Sequence, residues 1–169
     1  MVILLTGVAG AGKTTVGELL ASELGWSFED ADDYHSTANV DKMRNGQALT
    51  DEDRAPWLER LRTLISGWLA AEKNTVLACS ALKRSYRERL RISPEVHVVY
   101  LQVTPQVLRE RLRARRGHYM TEAMLASQLS ALEEPEDAMV VDGARPVTEV
   151  VDEIRAGLGL TYAPRVNRD

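Results

Sequence analysis

The stretch Gly7-Val8-Ala9-Gly10-Ala11-Gly12-Lys13-Thr14, entered from the apolar run Val2-Ile3-Leu4-Leu5, decides the fold of this chain. It fits the phosphate-binding pattern G-x-x-x-x-G-K-[ST]. A buried strand should feed a tight glycine turn and then a helix starting near Lys13, so that backbone N–H groups converge on a phosphate. Gly10 and Gly12 allow close backbone approach, Lys13 reaches the outer phosphates, and the Thr14 hydroxyl is placed to ligate Mg²⁺. Ala9, Ala11 and Thr15 complete the expected nucleotide-binding loop. Behind it Val16, Leu19, Leu20 and Leu24 fall at helical spacing, and Gly25 supplies a stop. The stretch predicts a nucleoside triphosphate site.

The rest of the chain bounds what surrounds that site. Its 169 residues, 44% hydrophobic and 27% charged, suit one soluble domain with its own core, over 1–169. No run approaches the ~18 apolar residues of a membrane span, and Met1 leads into an apolar strand with no signal-peptide pattern. A formal charge of −4 argues against general nucleic-acid binding. The single cysteine, Cys79, excludes an internal disulfide, and the expected compartment is the cytoplasm.

Apolar runs alternate with helical patterns along the whole length. Strands are expected at Val2–Leu5, Trp26–Phe28, Thr75–Cys79, Val96–Val103 and Ala138–Val141. Helices are expected at Lys13–Leu24, Asp51–Ala71, Lys83–Arg91, Pro105–Arg115, Glu122–Glu133 and Val147–Leu158. The longest opens on Thr50-Asp51-Glu52-Asp53, acidic residues suited to a helix N-terminus, and carries Trp57, Leu61, Leu64, Ile65 and Trp68 on one stripe. Such alternation implies an α/β protein with a mostly parallel sheet covered on both faces.

Ligands in such sheets bind beyond the carboxyl ends of the strands. Past the second strand stands Asp30-Ala31-Asp32-Asp33-Tyr34-His35, and past the third Cys79-Ser80-Ala81-Leu82-Lys83. The third strand carries no terminal aspartate for Mg²⁺, so Asp30 and Asp32 are the candidate metal-shell carboxylates. His97, inside a strand pattern, reads as structural, and Trp57 as core at the border of the acceptor pocket. Arg111 and Arg115 lie four apart on one helical face, ahead of Gly117 as a hinge.

Several of these segments together resemble the gluconate kinases of the small phosphate-loop type, relatives of shikimate and nucleoside monophosphate kinases. They are Gly7–Thr14, Asp30-Ala31-Asp32 with His35, Asn39, Lys42-Met43, Gly46, Leu49 and Asp51-Glu52-Asp53-Arg54-Ala55-Pro56-Trp57-Leu58. Cys79-Ser80-Ala81-Leu82-Lys83 with Tyr86-Arg87, Arg115–Met120, Ser127-Gln128, Leu132-Glu133 and Pro135 continue the likeness. The resemblance implies a three-layer P-loop kinase fold with a five-stranded parallel sheet, an acceptor-binding helical region about 33–71 and a helical lid about 111–134. It further implies transfer of the ATP γ-phosphoryl group to the 6-hydroxyl of D-gluconate, with Mg²⁺ at Thr14 and Asp30, directly or through water, and a homodimer. On this reading Lys13 and Asp32 are catalytic, and Asp32 orients the hydroxyl and takes its proton late. His35, Lys42, Arg54, Ser80, Lys83, Arg87, His118 and Gln128 would hold the acceptor with Asp32. Arg111 and Arg115 would cover the nucleotide, and Arg145 and Pro146 would border the adenine.

A shikimate-type kinase would share the phosphate loop but should show a glycine cluster after the third strand, where Ser80-Ala81-Leu82-Lys83 stands. A nucleoside monophosphate kinase would phosphorylate a nucleotide acceptor. A nucleotide-dependent switch would hydrolyse ATP slowly with no stimulation by sugar acids.

Overall fold

All five residues of β1 (Val2–Thr6) are buried, because a strand with partners on both sides and helices on both faces has no solvent side. A computed structural model describes residues 1–114 and 122–161. Arg115 and His118 lie outside the described residues, as does the Gly117 hinge. After β1 come α1 (Lys13–Leu24), β2 (Ser27–Asp30), a 3-10 turn (Ala31–Tyr34), α2 (Thr37–Arg44) and α3 (Asp51–Ala70). Then follow β3 (Thr75–Ala78), α4 (Arg84–Leu90), β4 (Val96–Gln102), α5 (Pro105–Ala114), α6 (Glu122–Ala131), β5 (Met139–Asp142) and α7 (Val147–Gly157).

The strands pair in the order β2-β3-β1-β4-β5, all in parallel. Side chains alternate across β1 and divide the core in two. Ile3 and Leu5 pack with Val16, Leu20, Val151 and Ile154 from α1 and α7. Val2 and Leu4 pack with Trp57, Leu61 and Ile65 of α3 and Leu90 of α4. The three-layer, five-stranded arrangement therefore follows the expectation. The chain leaves β1 for one edge and later returns to the other side, so strand order reverses beside β1. That is where a parallel sheet opens its ligand crevice.

Three elements depart most from the sequence reading. β2 runs over Ser27–Asp30, not Trp26–Phe28. It is an edge strand of half-buried residues, so Glu29 and Asp30 extend it without burying a charge. α2 is a polar helix that apolar spacing does not reveal; Ser36 caps it by accepting from Asn39 N at 3.2 Å. α6 ends at Ala131, before Glu133, because the Glu133 N–H turns to donate to Leu82 O at 2.9 Å. α3 begins as expected, with a reciprocal cap between Thr50 and Asp53; such a cap contributes ~1 kcal/mol. No helix among the described residues is long and apolar enough to cross a membrane.

Candidate active site

The nucleotide side is built mostly from backbone. Gly10 has φ +84° and Gly12, which caps α1, has φ +99°. A side chain at either would be strained in this left-handed region, so the two glycines let the loop turn tightly into the positive end of α1. Lys13 Nζ donates to Gly7 O at 2.9 Å and Val8 O at 3.2 Å, which holds the ammonium inside the loop. The loop is tied across the sheet, with Gly7 N donating to Ser80 O at 3.4 Å and Cys79 N to Leu5 O at 2.9 Å. Arg111 secures it from behind, Nη1 on Gly10 O at 3.1 Å and Nη2 on Gly143 O at 2.8 Å.

Thr14 Oγ1 donates to Asp30 Oδ2 at 3.0 Å. A hydroxyl and a carboxylate side by side at the mouth of a phosphate loop are hard oxygen donors of the kind Mg²⁺ takes, the metal filling its remaining positions with phosphate and water. Among the described residues no group of three His, Cys, Asp or Glu side chains could hold a metal by itself. The donor set therefore fits a metal that arrives with a nucleotide.

A cleft of about 410 Å³ joins this loop to the acceptor side. Ala9, Gly10, Gly12, Lys13, Thr14 and Thr15 line one wall. Asp30, Asp32, His35, Arg54, Ser80 and Gln128 line the rest of it, with Asp30 and Gln128 bonded to the loop at Thr14 and Ala9. The Asp30 carboxylate caps the 3-10 turn by accepting from Asp32 N at 3.1 Å. Trp57 Nε1 donates to Ala31 O at 2.8 Å, so a core tryptophan also fixes the residue before Asp32. Asp32 keeps 66% of its side-chain surface open to water. Partial desolvation by the cleft walls, and then the nearby Asp30 charge, raise its pKa against the pull of the Lys13 ammonium.

The His35 side chain is 5% exposed and lies 3.9 Å from Asp32, Nε2 to Oδ1. Its ring stacks on Trp57 at 4.4 Å between centroids and 12° between planes. Burial, and then the charge of Arg54, push its pKa down to about 4. The imidazole is thus neutral at physiological pH and makes no ion pair with Asp32. Arg54, one turn into α3, anchors its guanidinium on Leu49 O and borders the cleft as a cation.

Three expected acceptor residues do not reach this cleft. Lys42 is held by Asp53, Nζ to Oδ1 at 2.7 Å and to Oδ2 at 2.9 Å. Lys83 grips both oxygens of Asp51 at 2.8 and 2.7 Å, and Tyr86 OH bonds the same carboxylate. Arg87 is 6% exposed and donates to Ala81 O at 3.0 Å, Leu82 O at 2.9 Å and Glu133 O at 2.7 Å. Its fork is filled by carbonyls, and it holds the loop after β3 rather than an acceptor. The reason is common to all three: each found its acceptors outside the cleft, on another segment of the chain.

Arg111, Arg145 and buried Ala11 border a second hollow of about 290 Å³ behind the loop, with Gly10, Gly12 and Thr15. Arg145 is paired with Glu149 at 2.9 Å and with Glu153, and Pro146 caps α7. The sequence reading left the apolar wall of the main cleft, Met43, Leu49, Leu112 and Met124, out of the site. Met43 and Leu49 stand inside segments of the family likeness, which is the signal that could have found them; Leu112 and Met124 carry none.

The chain resembles known proteins over most of its length. The model of a family described as an AAA domain matches residues 2–135. A gluconokinase of Gluconobacter oxydans is 43% identical over 156 residues, covering 90% of this chain and 88% of the relative. The chain belongs to the gluconokinase family. A gluconokinase structure from Sinorhizobium meliloti, 41% identical, aligns with a TM-score of 0.83 over 93% of this chain and 90% of that one. A sugar kinase from Janibacter, solved without ligand, is 37% identical and aligns with a TM-score of 0.88 over 95% of both chains. The gluconokinase likeness covers about nine-tenths of the chain.

Proposed function

We propose that this protein transfers the γ-phosphoryl group of ATP to the 6-hydroxyl of D-gluconate, giving 6-phospho-D-gluconate. The observation that carries the reading is the single cleft in which Lys13, Thr14 and Asp30 face Asp32 and Arg54. Relatives named for gluconokinase activity support the acceptor. Phosphoryl transfer has a loose transition state, so placement and charge neutralisation outweigh strong base catalysis. Asp32 orients the hydroxyl and receives its proton as the bond to phosphorus forms. Its raised pKa makes that receipt easier than for an ordinary aspartate. Lys13 neutralises charge on the transferring group, and Arg54 binds the gluconate carboxylate through charge-assisted hydrogen bonds. Neutral His35 and Ser80 serve the polyol hydroxyls, which need partners without charge.

Mg²⁺ held between Thr14, Asp30 and the phosphates would neutralise charge on the β- and γ-oxygens. Residues 111–134 form the lid of this reading, Arg115 and His118 among them, and exclude water that competes as acceptor. A cytoplasmic homodimer completes the proposal; one buried thiol and dependence on ATP accord with that compartment. A coupled ADP-release assay across gluconate, shikimate and nucleoside monophosphates tests it. Saturable release with gluconate alone is the expected result. Release with either other acceptor, or slow hydrolysis that no acceptor stimulates, overturns it.

A further inference from the structure

α6 is fastened to both loops that frame the cleft. Gln128 Oε1 accepts the backbone N–H of Ala9 in the phosphate loop at 2.7 Å. Just beyond the helix, Glu133 N donates to Leu82 O at 2.9 Å. The Glu133 carboxylate accepts from Arg84 N at 2.6 Å, and its carbonyl accepts from Arg87 Nη2 at 2.7 Å. Leu125, 1% exposed, seats the helix body in the core that also holds Val8 and Leu108. Gln128 is therefore held at a set height above the loop.

The direction of its amide follows from chemistry. A backbone N–H only donates, so the atom facing Ala9 must be the amide oxygen. The NH2 group then lies beside that oxygen on the same planar amide, at a residue that lines the cleft with Ala9, Lys13 and Thr14. An NH2 group only donates, and the acceptors brought to this wall by a bound nucleotide are phosphoryl oxygens. The Ala9 N–H, already engaged, is relayed outward by one side chain, and accepting from it polarises the amide toward stronger donation.

We infer that Gln128 is a further γ-phosphate ligand of the reaction: Ala9 pins its oxygen, and its NH2 donates to the oxygens of the transferring phosphoryl group. The inference rests on the kinase reading for its nucleotide and is independent of which acceptor is used. It separates Gln128 from a mere tether of α6, because a tether needs the oxygen alone.

Gln128→Glu tests the distinction. A carboxylate still accepts from Ala9 N–H but presents a charged oxygen where the NH2 stood. Binding of ADP and of the β,γ-imido analogue of ATP is measured by calorimetry with Mg²⁺ on the full chain, without acceptor. The analogue should bind ~10-fold or more weakly, the loss expected for a hydrogen bond to a charged group, while ADP affinity and melting temperature stay near wild type. Turnover with gluconate should fall ~10²-fold. Wild-type affinity for the analogue, or equal loss for both nucleotides, overturns the proposal. Should Gln128→Glu melt early, Gln128→Met is measured by the same analogue-to-ADP ratio: a selective loss of the analogue upholds the ligand, and an unchanged ratio overturns it. Because no acceptor enters the binding measurement, a protein inactive on gluconate yet showing the altered ratio would refute the acceptor and uphold Gln128.

Discussion

The two walls of the cleft are made of different material. The nucleotide wall is one contiguous segment, residues 7–15, shaped by its backbone, with Gly7, Gly10 and Gly12 all at positive φ. The acceptor wall is assembled from side chains of the 3-10 turn and its C-terminal flank, α3 and the loop after β3. A backbone site is set by local conformation. A side-chain site depends on which charged groups tertiary contacts leave pointing inward. Arg54 faces the cleft, whereas Lys42, Lys83 and Arg87 are bound elsewhere.

The largest effect should come from the nucleotide wall. Lys13→Ala should lose ~10²–10³-fold in turnover, typical for removal of one preorganised charge contact, with a melting temperature near wild type. Full activity in the folded variant would break the assignment of that wall.

Asp32→Asn should lower kcat for gluconate by ~10²-fold with ATP affinity unchanged. The same variant should also melt higher. The folded pKa of Asp32 lies above its ordinary value of 3.8, so the folded state binds the proton more tightly than the unfolded one. Its ionised form therefore costs stability above that window, at neutral pH included, and Asn removes the charge. Loss of ATP affinity that added Mg²⁺ restores would instead assign Asp32 to the metal.

On the acceptor wall, Arg54→Ala and Lys83→Ala should part company. The first should reduce kcat/KM for gluconate ~10–100-fold, as for a lost hydrogen bond to a charged group. The second should leave kcat/KM within about twofold, since an exposed ion pair to Asp51 contributes little. Equal losses in KM would return Lys83 to the substrate and break the contrast.

The smallest effect is on stability against pH. His35 is neutral when folded, with a pKa of about 4 against an ordinary 6.5. The unfolded chain therefore takes up its proton first as pH falls. Stability from this group is present above pH 6.5 and is lost progressively down to about 4. Between pH 7.5 and 5 wild type should lose ~2 kcal/mol more than His35→Gln in urea unfolding. Parallel pH curves for the two proteins would show that the ring is wetter than its stack on Trp57 implies.

The phosphate loop, the strand before it and the alternation of runs were legible because each is a local property. Glycine torsions, side-chain period and helix caps act within a few residues. The Asp30-x-Asp32 pair was legible for the same reason, being one short turn at a strand end. β2 was misplaced because an edge strand need not be apolar, and α2 was missed because its cap, not its apolar face, announces it. The apolar wall was unreadable because Met43, Leu49, Leu112 and Met124 lie on separate segments that only the fold brings together.

By itself, then, the sequence determined the kind of sheet, the nucleotide loop and the carboxylates at its mouth, since short-range sterics and backbone hydrogen bonding suffice for them. Only the tertiary structure decided which cations serve the cleft and which serve the scaffold. A guanidinium or ammonium takes the best acceptors within reach, and for Arg87 and Lys83 those are Glu133 O and the Asp51 carboxylate, 46 and 32 residues away along the chain.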